Sequence, residues 1–182
     1  DWVYVYNFKS PRQPIALELP AGQAVKFQTM LHQTWQTTLK QLERRFTAET
    51  YHNRIEAIRQ QTGDVQQQAL IELTQEGEEL DLKLVSRNDE HCFIPVQYID
   101  DKVLEMTQAD INALSSKERS EINANIRHMD KKLERLGMHL GDLEEDARDK
   151  VQVLNRDIAK QVLLPKVEQL LTKFAEVEGL KD

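Results

Sequence analysis

The feature that most constrains the fold of this chain is a heptad repeat in its C-terminal third. Apolar residues there step alternately by four and three positions, at Ile122, Ile126, Met129, Leu133, Leu136, Leu140 and Leu143. An apolar period of 3.5 residues predicts a helix whose seam pairs with a second helix in a left-handed coiled coil. We therefore expect a long helix over residues 115–182, with a kink or a restart near Pro165.

A second apolar stripe, at helical spacing, predicts another long helix over residues 23–79. Its members are Phe27, Leu31, Trp35, Leu39, Leu42, Phe46, Tyr51, Ile55, Ile58, Val65, Ala69 and Leu73. Gly63 is expected to loosen one turn, and Gly77 to end the helix. Because such a helix cannot bury its stripe alone, we expect the two helices to fold back on each other as an antiparallel coiled-coil arm.

Between the stripes, residues 80–114 are predicted to form the tip of this arm. Residues 80–99 alternate with a period of two, which predicts a β-hairpin with its turn at residues 87–90. Pro95 removes a ladder donor, so the second strand is expected to be an edge strand or to carry a bulge. Thr107 with Asp110 has the spacing of a helix cap and predicts the start of a short helix through Leu114. Ser115 with Glu118 has the spacing of a capping box and predicts the start of another helix.

The first eight residues predict a β-strand that is apolar on both faces. Trp2, Tyr4, Tyr6 and Phe8 share one face, and Val3 and Val5 occupy the other. Such a strand normally lies in a sheet covered on both sides. We favour a sheet whose other strands lie outside these residues; the alternative is a half-buried strand that packs on its own helices. Residues 1–22, a strand and a proline-rich extended connection, would then belong to an α/β core from which the arm projects. The predicted fold class is thus mainly α, with one strand from a truncated core.

Charge and composition disfavour several classes of partner. The 182 residues carry a net charge of −7, and no segment is strongly basic, so we expect no nucleic-acid or membrane-surface partner. No stretch approaches the roughly 20 apolar residues of a membrane-spanning helix. Cys92 is the only cysteine, which excludes a disulfide within the chain and favours a cytoplasmic location.

Motifs of chemical function are not evident in this sequence. It has no glycine-rich phosphate loop, and the adjacent His91 and Cys92 lack the further ligands that zinc needs. Ser115 and Ser116 beside Lys117 are better explained by helix capping than by a Ser–Lys nucleophile. We therefore expect no catalytic, cofactor-binding or metal-binding residue in this chain.

Binding is the function left, and the hairpin is the candidate surface. Its second strand carries Phe93, Ile94, Val96, Tyr98 and Ile99, in a segment with seven acidic and three basic residues over 80–114. If its apolar face is only partly covered, it offers an edge and an apolar patch to an extended peptide. The alternative is that this face is fully packed on the end of the arm.

The first 22 residues carry the most specific pattern. The strand Trp-Val-Tyr-Val-Tyr-Asn-Phe is followed by Pro-Arg-Gln-Pro and by Ala-Leu-Glu-Leu-Pro-Ala-Gly, directly before the first long helix. This order resembles the N-terminal module of Lon-related proteases, in the branch with a long helical insertion in its AAA+-like region. The remaining order of long helix, hairpin, short helix and long helix matches that branch in architecture, although Pro165 departs from its uninterrupted last helix.

The resemblance implies a non-catalytic helical arm of an ATP-dependent cytosolic serine protease. The peptidase domain with its Ser–Lys dyad would follow these residues and any ATP-binding loop would precede them, so no catalytic residue is carried over. The arm would bind or position unfolded polypeptide, or support self-association in a ring. An alternative is a coiled-coil scaffold that docks a folded partner through its tip, in which Trp2, Tyr4 and Phe8 would pack inside the chain.

Overall fold

The computed structural model describes residues 1–87, 90–100, 102–177 and 180. Within these ranges the chain is mainly helical with two small antiparallel sheets, which confirms the mainly α class. The elements are β1 (Trp2–Val5), β2 (Ile15–Glu18), α1 (Ala24–Phe46), α2 (Glu49–Glu78), β3 (Leu82–Arg87), β4 (Glu90–Ile99), β5 (Lys102–Glu105), α3 (Gln108–Ala113) and α4 (Ser116–Lys173).

The chain divides into two compact units. The terminal unit comprises Asp1–Ile55 and Val151–Asp182, and the central unit comprises Glu56–Lys150. Helices α2 and α4 contribute residues to both units. No helix among the described residues combines the length and the apolar character needed to cross a bilayer.

In the terminal unit, β1 pairs antiparallel with β2, and this ribbon packs on helices through one face only. Val3 and Val5 contact a buried cluster, whose members are Leu17, Leu19, Phe27, Phe174 and Val177. The rings of Phe27 and Phe174 meet edge to face, with centroids 5.0 Å apart. The predicted strand over residues 1–8 is therefore shorter than expected, and its own chain shelters only the valine face.

The predicted first long helix is two helices, because the helical structure is interrupted at Thr47 and Ala48. The Thr47 hydroxyl donates to the carbonyl of Glu43 at 2.8 Å, and the Tyr51 N–H donates to the carbonyl of Ala48 at 3.0 Å as the next helix begins. Gly63, where a loosened turn was expected, lies inside α2. The apolar stripe did not reveal this interruption, because the stripe has helical spacing on both sides of Thr47 and Ala48.

In the central unit, the predicted hairpin is extended by a third strand that the sequence did not lead us to expect. The strand order is β3-β4-β5, which places Pro95 in the middle strand, so the expectation of an edge strand was wrong. The Met106 N–H donates to the Pro95 carbonyl at 3.0 Å, one residue beyond the end of β5. The backbone N–H that Pro95 lacks would therefore lie just beyond the last residue pair of β4 and β5, where its absence interrupts no ladder. Residues 88 and 89 of the predicted turn lie outside the described residues.

The middle of the heptad seam of α4 packs against the core of the central unit. Met129 is fully buried with Leu73 of α2, Leu82 of β3 and Phe93 of β4. The partly buried residues packed against this cluster include three further seam residues, namely Ile126, Leu133 and Leu136. In this unit the seam meets both a helix and a sheet; a coiled-coil arm and a truncated α/β core stay predictions.

Both predicted caps are present. At the start of α3, the Asp110 carboxylate accepts from the Thr107 N–H at 2.7 Å and the Thr107 hydroxyl oxygen accepts from the Asp110 N–H at 3.3 Å, which makes a capping box. The Thr107 hydroxyl also donates to the Asp110 carboxylate at 2.6 Å. Ser115 and Glu118 form the same reciprocal pair before α4. Helix α4 then runs through Pro165 to Lys173 without restarting, and a kink there stays a prediction.

Candidate binding surface

The five residues predicted for binding separate into a buried and an exposed set. Phe93 and Val96 are buried, with 3% and 5% of their surfaces exposed, and Ile94 is half-buried. Tyr98 and Ile99, at the end of the same strand, are 57% and 46% exposed. Tyr98 and Ile99 are therefore the two of the five that are most open to a partner, whereas Phe93 and Val96 are inaccessible without opening the unit.

Packing against α2 explains why Phe93 is buried. A Cβ added to Gly77 would overlap Cε1 of Phe93 and lie 3.0 Å from its Cδ1, so the ring rests directly on the glycine backbone. The Phe93 N–H also donates to the Asp130 carboxylate of α4 at 3.3 Å. Phe93 therefore holds the sheet between two helices and belongs to the core.

The exposed set is enlarged by two residues of β5 that sequence reasoning missed. Val103 and Leu104 are 49% and 43% exposed. Tyr98 pairs with Val103, and Leu104 pairs with Gln97, so the apolar residues lie on both faces of the ribbon. We call Tyr98, Ile99, Val103 and Leu104 the β4–β5 patch. The signal available in the sequence was the β-favouring Val-Leu pair that directly follows the expected second strand.

The β4–β5 patch lies at an edge of the sheet. All four residues of β5 are exposed, and β5 is the last strand in the order β3-β4-β5. An exposed edge strand offers backbone donors and acceptors to another chain. The nearby ion pair between Arg87 and Glu105, with N and O 2.9 Å apart, is about half exposed and therefore adds little stability, roughly 0–1 kcal/mol. The geometry is suited to contact with an extended apolar segment.

A second exposed apolar surface lies in the terminal unit. The aromatic face of β1 and the residues after it are uncovered by the described chain: Trp2 is 61%, Tyr4 70%, Tyr6 60% and Phe8 89% exposed. The rings of Tyr6 and Phe8 contact each other edge to face, with centroids 4.9 Å apart. These four residues form the aromatic row. Their exposure conflicts with the scaffold alternative, which required Trp2, Tyr4 and Phe8 to pack inside the chain.

Within the described ranges, no group of three or more His, Cys, Asp or Glu side chains is arranged to hold a metal ion. His91 is exposed and Cys92 is half-buried with a free thiol. Ser115 donates its N–H to Glu118 and accepts from it, which is the capping role expected for it. The arrangement of these residues is suited to capping and packing, and the exposed apolar surfaces are the features suited to binding.

One family of known proteins matches part of this chain. Residues 1–34 match a family model described as the Lon-like LonC helical domain. The matched residues comprise β1, β2 and the first half of α1. The match supports a likeness to a Lon-like protease helical region over this segment. No curated protein and no solved structure matches the chain.

Proposed function

We propose that this chain is a non-catalytic helical region of a Lon-like, ATP-dependent serine protease. The observation that carries the proposal is the match of residues 1–34 to the Lon-like helical domain. The peptidase domain, with its Ser–Lys dyad, and the ATP-binding loops would belong to other parts of the same cytoplasmic protein. Peptide hydrolysis would take place in the peptidase domain, and this helical region would bind the substrate.

The role we propose for this region is to bind unfolded polypeptide. A folded protein keeps most of its large apolar side chains inside, whereas an unfolded one exposes them. The β4–β5 patch presents four such side chains, each more than two-fifths exposed, next to an exposed strand edge. Backbone pairing at such an edge does not depend on the sequence of the bound segment, which suits a protease with many substrates.

The aromatic row has a separate role in this proposal. A strand with large apolar side chains on both faces is stable when both faces are covered, and the described chain covers only Val3 and Val5. We propose that the row packs against the protease core, and that this contact supports assembly of a ring-shaped oligomer. This role would keep Trp2 and Tyr4 away from substrate.

Binding to native and permanently unfolded forms of one protein tests the proposal. We expect the 182-residue chain to bind reduced, carboxymethylated α-lactalbumin and to ignore the native form. The double variant Tyr98→Ser, Ile99→Ser should weaken that binding by about tenfold, equivalent to about 1.4 kcal/mol. The matched control is Val153→Ser, Leu164→Ser, because these residues of α4 are 53% and 54% exposed and lie outside the patch. Equal binding of both forms of the protein would remove the proposed role.

The proposed origin in a protease has its own test, which is the gene on either side of this segment. We expect a downstream domain with a catalytic Ser and Lys. A stop codon directly after the segment would contradict the proposed origin without affecting the binding measurement.

A further inference from the structure

A groove in the central unit lies between the start of β4 and helices α2 and α4. Its volume is about 580 Å³, and its apolar lining comes from leucines, namely Leu70 of α2 and Leu133, Leu136 and Leu140 of α4. Leu70 is 40% exposed. Gly137 also lines the groove, and a Cβ added there would meet nothing within 4 Å. The groove therefore has apolar walls and room beside them for another side chain.

The β4 wall of this groove presents a strand edge. The Val96 N–H donates to the Asp81 carbonyl at 2.9 Å, so Val96 faces β3. Because alternate residues of a strand direct their backbone groups to opposite sides, His91 and Phe93 direct theirs away from β3. The Phe93 N–H accordingly reaches Asp130 of α4. Strand β5 pairs with β4 only from Val96 onward, so among the described residues no strand lies beside His91 on that side.

The polar lining of the groove is acidic. Glu90, Asp130 and Glu134 line it, and none of the described lining residues is Lys or Arg. Carboxylates around an apolar cleft raise the local concentration of cations and favour a ligand that carries positive charge next to an apolar group. The leucines and the carboxylates therefore select for two different properties of the same ligand.

We propose that this groove binds extended segments of unfolded polypeptide in which an apolar side chain is flanked by Lys or Arg. The apolar side chain would occupy the space beside Gly137, the cation would lie near Glu134 and Glu90, and the backbone would pair with His91. The proposal rests on the proposed function, since it names which segments of an unfolded substrate would be recognised. It also locates a binding site separate from the β4–β5 patch.

Two short fluorescent peptides test the proposal by anisotropy with the 182-residue chain. In one peptide leucine alternates with lysine, and in its twin glutamate replaces every lysine. We expect the lysine peptide to bind at least about tenfold more tightly. Glu134→Lys should reduce this preference, because it reverses one charge of the lining without touching the leucines.

A pair of glycine variants separates groove binding from general attraction to an acidic chain. Gly137→Leu fills the groove and should weaken binding of the lysine peptide by about tenfold. Gly141→Leu is the matched control, because an added Cβ also meets nothing within 4 Å there and Gly141 does not line the groove. Both substitutions favour the helix, so loss of folding does not explain a difference between them. Circular dichroism of both variants checks this.

The other possible results of these experiments each overturn either the groove proposal or the proposed function. Equal affinity for the two peptides, or unchanged affinity in Gly137→Leu, would overturn the groove proposal. A change only in the association state of Gly137→Leu, seen by sedimentation, would assign the groove to a second copy and also overturn it. If Gly137→Leu binds the lysine peptide like the unsubstituted chain, while Tyr98→Ser, Ile99→Ser still weakens binding of carboxymethylated α-lactalbumin, the groove proposal fails and the proposed function stands. If the unsubstituted chain binds the lysine peptide but not the unfolded protein, the proposed role in binding unfolded protein fails, while the preference of the groove for basic apolar segments stands.

Discussion

At the scale of single residues, Gly77 and Gly63 have opposite roles although both lie in α2. A Cβ at position 77 would overlap the ring of Phe93, which is 3% exposed and cannot move aside easily. A Cβ at position 63 would meet nothing within 4 Å. Gly77 is thus needed for close packing, whereas Gly63 only weakens the helix.

We therefore predict opposite signs for two alanine substitutions. Gly77→Ala should lower the free energy of unfolding by about 1–2 kcal/mol, because overpacking costs about 1–3 kcal/mol and the gain in helix propensity returns at most about 1 kcal/mol. Gly63→Ala should raise it by about 0.5–1 kcal/mol. Urea denaturation of both variants measures these changes, and a Gly77→Ala variant as stable as the unsubstituted chain would contradict the assigned contact.

At the scale of elements, the cap of α3 makes a prediction about pH. Hydrogen bonds from the Thr107 hydroxyl, and then from its backbone N–H, hold the pKa of Asp110 below its ordinary value of 3.8. Because this pKa is lower in the folded state than in the unfolded one, the ionised carboxylate favours folding above pH 3.8. This contribution is lost as the pH falls through the folded-state pKa.

Thr107→Val should therefore raise the pKa of Asp110 toward its ordinary value, because the strongest of these hydrogen bonds is removed. An NMR titration of the Asp110 carboxyl group measures the change. Glu118 is the internal control: hydrogen bonds from the Ser115 side chain and backbone likewise lower its pKa, and the substitution leaves them intact. If Asp110 titrates at the same pH in both proteins, the Thr107 hydroxyl is not the main cause of the lowered pKa.

Elements whose formation depends on neighbours in sequence could be predicted, and those that depend on distant contacts could not. The caps at Thr107 and Ser115 involve residues three positions apart, and the spacing revealed both. Strand β5 is stable only because β4 lies beside it, and its four residues alone carry too little pattern to identify. Pro95 misled us for the same reason, since its place at the end of a ladder is visible only once β5 is known.

The candidate binding surfaces could likewise be predicted only as far as they depend on local sequence pattern. Alternation identified the strand that carries Tyr98 and Ile99, but it could not separate them from Phe93 and Val96. That separation depends on where α2 and α4 cover the sheet, which is a tertiary contact. The groove beside Gly137 was beyond prediction, because it arises from the short length of β5 and from the distance between secondary-structure elements.

At the scale of the whole molecule, the two buried clusters share no residue. Phe174 belongs to the cluster of the terminal unit and Met129 to that of the central unit. Truncation of such a residue to alanine costs about 2–5 kcal/mol, and the loss should be felt within the unit that contains it.

Hydrogen exchange measured by mass spectrometry tests this independence. Phe174→Ala should speed exchange in β1 and β2 and leave β3 and β4 protected, whereas Met129→Ala should do the converse. Exposed Met138→Ala serves as the control, since its side chain is 60% exposed and its loss should change neither region. Equal acceleration of both regions in both variants would mean that the molecule unfolds as one cooperative body.

The central unit is one continuous segment, Glu56–Lys150, inserted between the two segments that form the terminal unit. The boundaries between the units lie within α2 and α4. Such an inserted unit can be replaced without loss of the terminal unit, because both chain segments that build the terminal core stay unchanged. Evolution could therefore exchange this cassette for one with a different preference, or lengthen it by whole helical turns, while Leu17, Phe27 and Phe174 remain undisturbed.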